Sequence, residues 1–203
     1  MSTSMNPSPA SIAPMPQPVS ASDAMLAAPA QVVAFWQDAG PKRWFKKNAR
    51  FDALFRQQFA CEYQAAAAQR LNSWQHSAPG CLALLILLDQ YPRNAFRETP
   101  RAFATDDLAH AVAKTALAAG FDQQTAAPLQ AFFYLPFMHS ERLADQELSL
   151  RLCQALGKDN REAAQTHRDI IARFGRFPHR NHVLGRTSTA DELQFLATGG
   201  FAG

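Results

Sequence analysis

Three short segments of the chain concentrate side chains able to do chemistry. Asp89-Gln90-Tyr91-Pro92-Arg93-Asn94 directly follows the most apolar stretch. Pro136-Phe137-Met138-His139-Ser140-Glu141 is the second. Arg173-Phe174-Gly175-Arg176-Phe177-Pro178-His179-Arg180-Asn181 is the third, and it continues through Gly185-Arg186-Thr187-Ser188-Thr189. The first and third share an order of aromatic, Pro, then Arg-Asn, with His179 inserted in the third. From His167 to Arg186 five Arg and three His face a single acid, Asp169. Such an excess requires counter-charge, either from Asp89 and Glu141 or from an anionic ligand, and the guanidinium fork suits bidentate binding of carboxylate or phosphate. The expected site therefore has His139, Glu141, His179 and Asp89 as proton-transfer groups. Gln90, Arg93, Asn94, Ser140, Arg176, Arg180, Asn181 and Arg186 are its expected ligand-binding groups.

Each motif also has a purely architectural reading. Pro ends the preceding helix, Arg covers its last carbonyls, and Asn caps the next helix. Polar turns would then fix helix junctions through buried ion pairs, which bring geometry more reliably than stability. His167 shares a helical face with Ala163, Ile170, Ile171 and Phe174, and reads as a core histidine. His139 follows a Pro and reads as a junction residue. His139, Ser140 and Glu141 are chain neighbours whose side chains point apart, so no catalytic triad is read from them, and no GxSxG elbow exists. His139, Glu141, His179 and Asp89 could be combined as a metal set, but the spacing support is weak: His179-x-x-His182 stands alone and HExxH is missing. No metal and no cofactor are expected, and neither glycine-rich phosphate loop, GxGxxG or GxxxxGK[ST], occurs. Lys42-Arg43-Trp44-Phe45-Lys46-Lys47 mixes cations and aromatics as RNA-binding segments do; it reads better as a loop with its aromatics packed inward, and nucleic acid is not the expected partner.

The elements that must position these groups are helices. Gln31 to Asp38 is a short first helix, ended by Gly40-Pro41. Phe51, Leu54, Phe55, Phe59 and Tyr63 recur at steps of three and four, and Ala65 to Ala68 prolong that second helix. Cys81 to Gln90, opened by Pro79-Gly80, is apolar on all sides and reads as a central buried helix because Leu and Ala outnumber β-branched residues. Thr105 is the expected N-cap of a helix that runs through Leu108 and Val112 and closes at Gly120. Leu129 to Tyr134, Leu143 to Leu156 and Arg161 to Phe174 are three more, and Thr189-Ala190-Asp191-Glu192 is a capping box opening the last. The fold class is all-α, a helical bundle or solenoid of seven to eight helices.

With 203 residues, 47% of them apolar, the chain suits one domain with a real core. Residues 1–28, rich in Ser, Ala and Pro, are expected to form a disordered tail, and 29–203 the single helical domain. The tail has neither the basic start nor the apolar run of a secretory signal, and no Lys or Arg precedes Lys42. Three cysteines at wide spacing fit reduced thiols rather than a disulfide framework. The longest apolar run, Cys81 to Leu88, is far short of a membrane span. A cytoplasmic protein without a membrane anchor is expected, and the net charge of +3 does not suggest a general nucleic-acid binder.

LALLILLDQYPRN, RAFATDDLA, FFYLPFMHSERLADQ, RFGRFPHRNHVLGRTST and DELQFL together resemble the bacterial domain of unknown function 924 family, from about Val32 to Phe201. Tyr91 stands where the family favours Phe, and Met138 where an acid is frequent. The resemblance implies a helical fold similar to tetratricopeptide-repeat proteins, although no repeat of about 34 residues is visible. It implies no activity. Its motif positions fall on Asp89, Gln90, Arg93, Asn94, His139, Ser140, Glu141, His179, Arg180, Asn181 and Arg186. The leading expectation is a pocket for a small anionic molecule, with an Arg clamp and His/Glu acid–base groups. The alternatives are a module gripping an acidic peptide and motifs that serve architecture alone.

Overall fold

The computed structural model describes residues 26–201, and every regular element among them is helical. The expected disordered tail falls, up to residue 25, outside the described residues. Leu26 and Ala27 pack against the core, and the Ala27 backbone N–H donates to the buried Glu62 carboxylate at 2.8 Å.

The chain begins with α1 (Pro29–Ala39), α2 (Pro41–Trp44) and the long α3 (Ala49–Ala67), which kinks at Phe59. Their aromatic residues interlock: Trp36, Trp44, Phe51, Phe55 and Phe132 have ring centroids 5.0 to 6.2 Å apart. Edge-to-face and offset geometries of this kind add to the burial of large apolar area. Of the aromatics in the basic loop, Trp44 packs inward, but Phe45 stays 62% exposed, so the expected inward packing holds for only one of the two.

Helix α4 (Ala78–Leu85) runs through the centre, and Cys81 to Leu88 are each at most 2% exposed. An element surrounded by protein needs no polar face, which is why its sequence is apolar all round. It does not stop at Pro92. A π-helical turn, Ile86–Gln90, leads straight into α5 (Tyr91–Ala95), where Pro92 occupies the first turn. Pro92 has no N–H for the Leu88 carbonyl, and the Thr105 hydroxyl donates there instead at 2.6 Å. Thr105 precedes α6 (Asp106–Ala118) as expected, but its side chain serves this carbonyl and makes no cap of its own helix.

The remaining elements are α7 (Leu135–Met138), α8 (Leu143–Cys153), α9 (Lys158–Phe174) and α10 (Ala190–Ala197). Leu129–Phe133 forms a 3-10 turn rather than the α-helix expected there. Gly175, left-handed at φ 70, ends α9 and turns the chain into Arg176 and Phe177. The Thr189–Glu192 capping box opens α10 as read from the sequence. Cys81 and Cys153 are buried, Cys61 is exposed, and all three are free thiols. No helix among the described residues is long and apolar enough to cross a membrane.

Candidate functional site

The three polar segments meet. The first is re-aimed by the π-helical turn, a device often found where a helix carries a functional group. Its carbonyls are taken by side chains: Arg93 Nη1 donates to the Asp89 carbonyl at 2.9 Å, and Asn94 Nδ2 to the Gln90 carbonyl at 2.8 Å. Arg93 thus covers a late carbonyl as the architectural reading expects, whereas Pro92 ends no helix and Asn94 bonds backward rather than capping a helix after it.

Asp89 is 1% exposed, yet every oxygen of its carboxylate is served. Oδ2 accepts from Gln90 Nε2 at 2.6 Å; Oδ1 lies 2.8 Å from His139 Nδ1 and 3.2 Å from Arg93 Nη1. Burial opposes its ionisation, but Arg93 and His139 outweigh burial and bring its pKa down to about 2. His139 moves down as well, because burial and then the Arg93 charge disfavour imidazolium more than Asp89 favours it. An ionised carboxylate beside a neutral imidazole defines the tautomer: Nδ1 carries the proton and donates it to Asp89, leaving the Nε2 lone pair uncommitted. His139 sits at the C-terminal end of α7, the junction position expected. Gln146, fully buried, pins this turn by donating to the carbonyls of Met138 (2.7 Å) and Ser140 (2.6 Å).

Arg93 completes its pairing with Asp106, bidentate at 2.8 and 3.0 Å. The far Asp106 oxygen, Oδ2, is also the nearest carboxylate oxygen to Arg180, at 3.7 Å from Nη1. Arg180 is 6% exposed, and its Nε has no hydrogen-bond partner. Its guanidinium lies 4.7 Å from the Phe103 ring centroid and 4.4 Å from that of Phe177. These aromatic faces hold the cation in place without neutralising it. Burial and the neighbouring Arg93 lower its pKa to about 10, leaving it charged at neutral pH.

Two other arginines of the third segment, Arg186 and Arg176, are closed off. Arg186 forms a bidentate pair with Glu141 at 2.7 and 3.0 Å and also donates to Asn181 Oδ1 and the Phe177 carbonyl. Glu141 Oε1 accepts the Phe177 backbone N–H at 2.8 Å. Arg176 pairs with Glu192 at 2.6 and 2.8 Å, and Asn181 donates to the same carboxylate. Arg176 is linked to Asn181 through Glu192, but it lines a separate concavity of about 410 Å³ between α9 and α10. Of the two cations that line it, Arg176 is spent on Glu192, while Arg173 lies over the Phe174 ring at 4.6 Å from its centroid. His179 does not pair with an acid. Its ring packs on Phe177 and Phe201, its Nδ1 is buried without a partner, and burial followed by the Arg180 charge lowers its pKa to about 4. His167, the expected core histidine, is partly buried, receives an aromatic edge from Phe201 and bonds to the Ala163 carbonyl at 2.8 Å.

A cleft of about 310 Å³ opens where α6, the α7–α8 link and the Pro178–Arg180 turn meet. Of the expected groups, His139, Ser140, Glu141 and Arg180 line it, while Asp89, Gln90, Arg93 and Asn94 stand behind as supports. Phe103, Asp106, Asp107, His110 and Arg142 also line it, and none of them stands out in the sequence as a site residue. The available signal is Asp106 and His110, four apart on one helical face; along the chain Asp106 and Asp107 read only as dipole-compensating acids. The Ser140 hydroxyl donates to Asp145 at 2.6 Å, and thus to a carboxylate rather than to an imidazole. No group of three or more His, Cys, Asp or Glu with metal-binding geometry occurs among the described residues.

Fold and cleft together define an all-helical protein with a carboxylate–imidazole pair and an underpaired arginine at one locus. The chain belongs to the family described as bacterial protein of unknown function (DUF924), whose model matches residues 32–200. It is similar to the solved structure of a protein of unknown function from Agrobacterium tumefaciens, 47% identical, covering 84% of this chain and 97% of that one with a TM-score of 0.83. No curated protein matches the chain.

Proposed function

We propose that the chain binds a small anionic molecule in the cleft, with Arg180 as its anchor and His139, held by Asp89, as a general base. The observation that carries this reading is Arg180. It is a cleft-lining cation, almost wholly buried, with an unpartnered Nε and no carboxylate oxygen within hydrogen-bond distance. A buried charge normally has a full complement of partners, and a ligand carboxylate or phosphate would complete this one. The acids of the cleft do not repel such a ligand in proportion to their number, since Asp106 is held by Arg93 and Glu141 by Arg186. Beside the anchor, the His139 Nε2 lone pair is free to accept a proton from a bound substrate or water.

A second reading has a specific support of its own. The closed pairs Arg186–Glu141 and Arg176–Glu192 have the geometry of junction locks, so these two arginines serve architecture rather than ligand binding. The acidic-peptide alternative finds no comparable support, because the underpaired cation lies recessed rather than along an open groove.

A thermal-shift panel of inorganic phosphate, sulfate and small mono- and dicarboxylates tests the proposal on wild type and Arg180→Gln. A ligand at ten times its Kd adds about 1.4 kcal/mol, a rise of roughly 3–6 °C for a domain of this size. The rise is expected in wild type and absent in Arg180→Gln. A panel that moves neither protein, or both equally, overturns the assignment of Arg180.

A further inference from the structure

Most of the fixed charge lining the cleft is already paired. Asp106 is held by Arg93 and Glu141 by Arg186, each through two hydrogen bonds. Arg142 is tied to Asp145 through its Nε at 2.6 Å. Two charges of the lining remain. One is Arg180, almost wholly buried with an unpartnered Nε. The other is Asp107, exposed, whose carboxylate has no hydrogen bond and no ion pair among the described residues. In the first turn of α6 its charge complements the helix dipole, but that role engages neither oxygen and is shared with Asp106.

We infer that the ligand of this cleft is a small zwitterion, with a carboxylate or phosphate on Arg180 and an ammonium group on Asp107. The inference rests on the reading that Arg180 anchors an anion. The two residual charges are near enough for one small molecule. Arg180 Nη1 is 3.7 Å from Asp106 Oδ2, and Asp107 is the next residue, its Cα about 3.8 Å from that of Asp106. Successive side chains of a helix diverge by roughly 100°. Asp107 is thereby kept off Arg180 itself, while both line one space of about 310 Å³. Phe103 and Pro136 give the same space an apolar wall for the carbon atoms that join the two ends.

The two ends contribute differently. An anion at buried Arg180 gains a charge-assisted pair where the dielectric is low, so this end supplies affinity. Asp107 faces water, where an ion pair is worth little, so this end supplies selection. A plain anion meets an uncompensated acid in the lining, and an amine without an anion offers nothing to Arg180. A molecule carrying both charges leaves neither residue unpaired.

Matched pairs that differ by the ammonium group test this on the full chain: glycine against acetate, β-alanine against propionate, and phosphoethanolamine against ethyl phosphate. Titration calorimetry gives their dissociation constants for wild type, Asp107→Asn and Arg180→Gln. Wild type is expected to bind the ammonium member of at least one pair about two- to fivefold more tightly, the range an exposed ion pair supports. Asp107→Asn should loosen that member and tighten its plain partner, and Arg180→Gln should abolish binding of both. Plain anions bound as tightly as their ammonium partners in wild type, with binding still lost in Arg180→Gln, overturn this inference and leave the proposed function standing. A preference that survives in Asp107→Asn, even with a lowered melting temperature, overturns it too, since Asp107 then serves only α6. No binding by any member removes the reading of the cleft itself.

Discussion

Nδ1 of His139 lies 2.8 Å from Oδ1 of Asp89, a residue fifty positions earlier in the chain. The contact joins the end of the central helix to the end of α7, and it sets which imidazole nitrogen looks outward. Its partners make the two ends interdependent, because Arg93 holds Asp89 from the other side and carries on to Asp106.

Asp89→Asn should be costly although it is nearly isosteric. It removes the charge that compensates buried Arg93 and lets the amide present an N–H to Nδ1. A loss of about 3 kcal/mol is expected for breaking a buried pair, together with a reversed His139 tautomer. Urea unfolding measures the first and 15N spectra of the ring the second. An Asn variant as stable as wild type with its tautomer unchanged would refute the role given to Asp89.

Gln146→Met keeps the volume but withdraws the two donors that hold the carbonyls of Met138 and Ser140. Unpaired buried carbonyls should cost about 2 kcal/mol. Because Gln146 touches no ligand, the anion-dependent thermal shift should weaken through loss of the His139 turn, and not vanish as in Arg180→Gln. Hydrogen exchange at residues 138–140 would rise if the turn loosens, and unchanged protection there would contradict the positioning role.

Glu141→Gln and Arg186→Met should show coupled effects, because the bidentate pair also ties the Phe177 turn to the α7–α8 link. Both side chains are about a quarter exposed, so solvent screening keeps the coupling near 1 kcal/mol. A double-mutant cycle by chemical denaturation measures it; strict additivity of the two single changes would mean that the pair contributes nothing at the junction.

Acid should destabilise the fold in a window defined by histidine. Burial pushes His167 and His179 down to about 4, with the Arg180 charge adding to it at His179. The unfolded chain binds protons at these rings near the ordinary imidazole value of about 6.5. A folded value below the unfolded one means that their contribution is fully present above pH 6.5 and is lost as pH falls toward 4. Unfolding midpoints in urea should therefore drop between pH 6.5 and 4.5, before most carboxylates titrate. His179→Gln should flatten that slope, and a slope equal to wild type would assign the acid sensitivity elsewhere.

Much of this architecture was legible along the chain. Apolar recurrence at three and four residues marked α3, α6 and α9, uninterrupted apolarity marked the buried α4, and Thr189 with Glu192 marked the start of α10. Each of these signals depends on residues within about one helical turn of each other, where backbone geometry alone sets which side chains are neighbours. The same locality identified the three polar segments, since a cluster of Arg, His, Asn and Asp is visible in composition.

The tertiary structure decided what those clusters do. Locally, Pro92 reads as a helix stop and Thr105 as a cap; the π-helical turn and the Leu88 carbonyl, satisfied across seventeen positions, made each something else. Nothing near His139 in the chain marks Asp89 rather than Glu141 as its carboxylate. Nothing near Arg180 sets it apart from Arg176 and Arg186, which found Glu192 and Glu141, while Arg180 was left with a carboxylate oxygen no nearer than 3.7 Å. Charge pairing is settled by distances of a few ångströms between groups far apart in sequence, and those distances come into being only when the apolar helices pack. The chain thus specifies which groups it carries and on which elements, and packing chooses which of them are spent on each other and which face the cleft.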